Sequence, residues 1–74
     1  MQPRHVISVV FGEHLKIGNI ASMRSALMSC GSVTADPDGR TFSVETYRER
    51  AREHLIKTLK GWEQWGFVRW EQVS

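Results

Sequence analysis

The chain has one cysteine, Cys30, so it cannot form an intramolecular disulfide. A lone thiol without a secretion signal fits a reducing compartment, and the expectation is a cytoplasmic protein. Long apolar runs are also missing. The longest, Val6 to Phe11, contains Ser8 and follows one basic residue, Arg4. It is too short for a signal sequence or a membrane span. Charge of one sign is lacking too: ten Lys and Arg face eight Asp and Glu, for a net charge of +2. So small a surplus projects little field, whatever the basic pI suggests. The sequence contains no glycine-rich phosphate loop, no G-x-S-x-G elbow, no low-complexity segment and no linker.

Metal and nucleophile chemistry are equally thin. His5, His14 and His54 stand far apart, and Cys30 has no partner at zinc-ligand spacing. Cys30 also falls near a helix C-terminus, where the dipole disfavours a thiolate. The expectation is therefore no metal, no cofactor and no catalysis, with Cys30 a small core residue.

What is present is a folded composition, 41% hydrophobic and 24% charged, over 74 residues. That length supports one domain, residues 1–74, with a small core. His5 to Phe11 reads as a strand ended by Gly12. Ile7, Val9 and Phe11 share one face, and Val6 and Val10 share the other. Apolarity on both faces predicts a central strand. A loop from Gly12 to Gly18 carries Glu13, His14 and Lys16. Asn19 is a candidate cap for a helix over Ile20 to Cys30, with Gly31 as the residue that closes it. Ile20, Met23, Leu27 and Cys30 form its apolar arc, opposite Ser22, Ser25 and Ser29.

Ser32 to Asp36 and Thr41 to Glu45 alternate as strands around the turn Pro37-Asp38-Gly39-Arg40. Thr46 and Glu49 match a capping box that opens a helix running to about Trp65. Its core arc is Tyr47, Ala51, Leu55, Leu59 and Trp62. Gly66 breaks the chain before a last strand, Phe67 to Val73. The order strand, helix, strand, strand, helix, strand is the ferredoxin-like pattern, an α+β fold written βαββαβ. It implies a four-stranded antiparallel sheet with both helices on one face.

Two surfaces then compete for a function. Trp62, Trp65, Phe67, Arg69 and Trp70 crowd the C-terminal end, more aromatic area than so small a core needs. Helix and strand periodicity places Trp62 and Trp70 inward and leaves Trp65 and Phe67 without an assigned place. Tryptophan and arginine are the residues most enriched where partners grip one another. These five are the candidate partner-binding residues of a small protein-binding module, a regulator or inhibitor. The second apolar face of the first strand invites a second copy of the chain, hence a homodimer. The alternative is nucleic-acid binding through Arg40, Arg48, Arg50 and Arg52. Glu45, Glu49 and Glu53 interleave with these arginines and weaken their field. Thr41, Ser43 and Glu45 also occupy the strand face where an RNA-recognition sheet carries aromatics. A third and weaker expectation is a small-molecule site at the Gly12 to Gly18 loop.

Overall fold

The computed structural model describes residues 4–74. The elements are β1 (His5–Phe11), α1 (Ile17–Met28), β2 (Ser32–Ala35), β3 (Thr41–Thr46), α2 (Glu49–Gln64) and β4 (Val68–Gln72). The four strands form one antiparallel sheet in the order β2-β3-β1-β4. β1 is central, as its two-sided apolarity implied. β2 and β4 are the edges.

The core lies between one sheet face and the helices. Ile7, Val9 and Phe11 of β1, Phe42 and Val44 of β3 and Val68 of β4 meet Ile20 and Leu27 of α1 and Leu55 and Leu59 of α2. Period-two strand faces and period-3.6 helix faces bring these residues together. The Phe11 and Phe42 rings meet edge to face at 5.4 Å, an arrangement their quadrupoles favour. Cys30 is free and buried at the rim of this core.

The hairpin turn follows its sequence closely. Asp38 accepts hydrogen bonds from the backbone N–H groups of Arg40 and Thr41, both at 2.9 Å, and from the Thr41 hydroxyl at 2.7 Å. These bonds hold the Asp38 carboxyl below its ordinary pKa. Gly39 takes φ +72°, which glycine adopts without steric cost.

Both helix starts differ from expectation. α1 begins at Ile17, with Lys16 at the cap position and no side-chain cap. Asn19 and Gly18 therefore lie inside its first turn. Leu15, which the loop reading passed over, buries itself and anchors the chain just ahead of the helix. The capping box does not form either. Thr46 is the last residue of β3, paired with His5, and α2 starts at Glu49 after an uncapped Arg48. A ladder position with a fully buried side chain outweighs a cap worth about 1 kcal/mol. Tyr47 consequently precedes the helix rather than joining its core arc. It is exposed, and its hydroxyl donates to Glu45 at 2.6 Å.

Gly31 also has a different role from the one its position suggested. Its φ is not positive, so it closes no left-handed cap. A Cβ there would collide with the Glu45 carbonyl oxygen. Only glycine lets the chain after α1 pass so near β3. The serines of α1 do not offer free hydroxyls: Ser22 and Ser25 donate to carbonyls four residues back, and Ser29 donates to Ala26 O.

Candidate interaction surface

The strand directions decide which loops meet. β1 and β2 finish, and β3 and β4 begin, at one end of the sheet. α1 starts there and α2 finishes there. The Gly12–Lys16 loop, the β2–β3 turn and the α2–β4 turn are thus neighbours, although up to about fifty residues separate them in sequence. They are fastened together. Gly12 N–H donates to Phe67 O at 2.9 Å, and Phe11 N–H donates to Arg40 O at 2.8 Å. The Arg40 guanidinium donates through Nη1 to the carbonyls of Gly12 (2.7 Å) and Leu15 (3.1 Å). The His14 ring folds over Gly12, where a Cβ would come within 2.6 Å of it. The expected loop site is therefore part of the same end as the aromatic cluster.

The turn from α2 into β4 is a Schellman motif. Gly66 N–H donates to Glu63 O at 2.9 Å, Phe67 N–H donates to Trp62 O at 3.0 Å, and Gly66 has φ +77°. Two orphan carbonyls of α2 are satisfied in this way. The motif also fixes where each aromatic goes. Trp62 faces the core and meets the Phe11 ring at 6.3 Å. Phe67 and Trp70 pack, half-buried, against the same core. Trp65, at the cap position between them, is left 75% exposed.

The five residues grouped by sequence thus divide. Trp62, Phe67 and Trp70 are half-buried against the core, while Trp65 and Arg69 are exposed. Exposed Ile17, Glu13, His14 and Lys16 surround the same end, and Ile17 is 78% exposed. A shallow depression of about 370 Å³ between Phe67, Val10, Glu13, Glu63 and Arg69 opens beside them. It is an open dish rather than an enclosed pocket. Among the described residues, no group of three His, Cys, Asp or Glu could hold a metal ion.

The arginines are scattered. Arg40 is committed to the loop carbonyls. Arg52 pairs with Glu49 at 3.0 Å and donates to Gln72 at 2.9 Å. Arg48 and Arg50 are exposed at the start of α2. Arg4 pairs with Glu45 at 2.7 Å on the sheet's other face. There the Tyr47 hydroxyl and the Arg4 guanidinium hold the Glu45 carboxyl below its ordinary pKa.

The face of the sheet away from the helices is polar rather than dry. Its central row is Thr34, Ser43, Ser8 and Glu71, side by side across the strands. Val6 and Val10 flank that row, and only Val10 counts as exposed, at 39%. The apolar stripe that suggested a second copy on this face is two valines interrupted by a serine. No helix among the described residues is long and apolar enough to cross a membrane. Comparison of the chain with protein-family models, with curated proteins and with solved structures gives no match.

Proposed function

We propose that this chain is a non-enzymatic protein-binding module that grips a protein partner with the end bearing Trp65, acting as a regulator or inhibitor in the cytoplasm. We read its topology as ferredoxin-like: β3 lies between β1 and β2, β1 lies between β3 and β4, and each helix bridges a split pair. The observation that carries the functional reading is the 75% exposure of Trp65 on a turn held by two backbone hydrogen bonds. An indole carried on a fixed backbone has only two side-chain torsions to lose on binding and buries a large area. Ile17, Lys16 and Arg69 are exposed at the same end of the molecule, and anchor residues commonly sit in such mixed apolar and polar surface. Nucleic-acid binding has less support, because Arg40 and Arg52 are engaged within the fold.

The test is a purified partner, first captured with the unmodified chain and then titrated by calorimetry. Trp65→Ala is expected to weaken binding by at least about 2 kcal/mol, roughly thirtyfold. Binding unchanged by that substitution would discard the proposal. Affinity for oligonucleotides that falls steeply with salt would favour Arg48 and Arg50 instead.

A further inference from the structure

The sheet has an unguarded edge. β4 (Val68–Gln72) pairs with β1 on one side only. Gly12 N–H bonds to Phe67 O, and Val73 N–H bonds to Val6 O. Antiparallel ladders alternate bonded with non-bonded pairs. The N–H and C=O groups of Arg69 and Glu71 are therefore turned to β1. Those of Val68, Trp70 and Gln72 are turned outward, without a strand to receive them. The usual protections of such an edge are proline, a bulge, an inward charge or outward charges that repel a partner. β4 lacks the first three; its sequence is Val-Arg-Trp-Glu-Gln, in unbroken register with β1, and its two charges are of opposite sign.

We propose that two copies of this chain join edge to edge through β4, antiparallel about a two-fold axis at Trp70, making one continuous sheet of the two. The side chains select both the partner and the register. With Trp70 opposite the partner's Trp70, Arg69 stands opposite the partner's Glu71, and Glu71 opposite the partner's Arg69. These are the non-hydrogen-bonded positions, where facing side chains come closest. Both residues are exposed on the polar face of the sheet, free to meet. Sliding one copy by two residues sets Arg69 against Arg69 or Glu71 against Glu71. A slip of one residue would put the core face of one copy beside the open face of the other. Only one register therefore pairs every charge, and the Arg69–Glu71 pair occurs twice because a two-fold contact is self-complementary. Val68, Trp70 and Gln72 exchange their outward hydrogen bonds in that same register. A second copy is the occupant whose charges match this edge in full. The inference does not use Trp65, which lies in the turn before the strand, although Arg69 belongs to both surfaces.

The experiment is sedimentation equilibrium over a concentration series, with a charge swap. The unmodified chain is expected to dimerise. Arg69→Glu or Glu71→Arg alone, each placing like charges opposite one another twice, is expected to weaken the dimer roughly tenfold or more. The double variant R69E/E71R restores it. Hydrogen exchange supplies a second reading: the amides of Val68, Trp70 and Gln72 become protected as concentration rises, and R69E removes that protection. Thermal melts confirm that these exposed positions leave the fold intact. A chain that stays monomeric at millimolar concentration overturns the proposal. So does a dimer indifferent to both single charge changes, which would place the contact elsewhere. Loss of partner binding by Trp65→Ala with the dimer unchanged, or the reverse, separates this proposal from the functional one.

Discussion

Thr46 is fully buried, and its hydroxyl has no hydrogen-bond partner. It stands on the core face of β3, with its methyl group close to Gly31. A buried hydroxyl without a partner keeps its desolvation cost and gains nothing in return. Valine has nearly the same shape without that cost. Thr46→Val is expected to raise the unfolding free energy by about 1 kcal/mol, read as a higher denaturant midpoint at unchanged slope. A lower midpoint would mean that the hydroxyl is satisfied in solution. Trp70 raises the same question, since its indole N–H is also buried and unpartnered. Its ring, however, packs against the core, so truncation there would mix two effects.

Among the elements, the α2–β4 turn governs the most. Gly66, at φ +77°, lets the helix end and the strand turn back under it. Nothing lies within 4 Å of where its Cβ would be, so substitution meets strain rather than a clash. Gly66→Ala is expected to cost about 1 kcal/mol, the penalty of a side chain in left-handed backbone. The proof is a chemical melt in which Gly61→Ala, in open space within α2, moves the other way, because alanine is the better helix former. If both substitutions stabilise, the left-handed turn does not persist in solution.

This turn also marks what the sequence disclosed and what it hid. Pro37-Asp38-Gly39 gave away the hairpin, because each residue acts on its own neighbours. β1 was legible as central because both of its faces are apolar. The Thr46–Glu49 box misled for the converse reason. Its pattern is local, but the position of Thr46 is decided by pairing with His5, forty-one residues away in sequence. Periodicity left Trp65 without an assigned place, and it is the aromatic of the C-terminal cluster that faces solvent. Phe67, left out in the same way, packs inward, because the Schellman motif turns the chain within two residues. The gathering of Arg40, the Gly12 loop and Phe67 at one end could be seen only once the strand order was known.

At the scale of the whole molecule, a core from so short a chain leaves little reserve of stability. Each aromatic spent on a surface is one withheld from that core. Trp62, in the last turn of α2, and Trp65, at its C-terminal cap, make the comparison direct. Trp62 touches Phe11 and lines the core, whereas Trp65 is 75% exposed. Trp62→Ala is expected to lose about 3 kcal/mol, the usual cost of removing a large packed ring. That is a large share of what a small domain possesses, so its melt should shift far down or broaden. Trp65→Ala should change stability by less than about 0.5 kcal/mol, as substitutions at exposed positions do. Thermal and urea melts of the two variants measure both effects. Equal losses would mean that Trp65 is folded onto the molecule in solution, and the anchor proposed for a partner would not exist. A large loss at Trp62 alone leaves Trp65 exposed on a rigid turn with no part in stability, which is the condition a binding residue must meet.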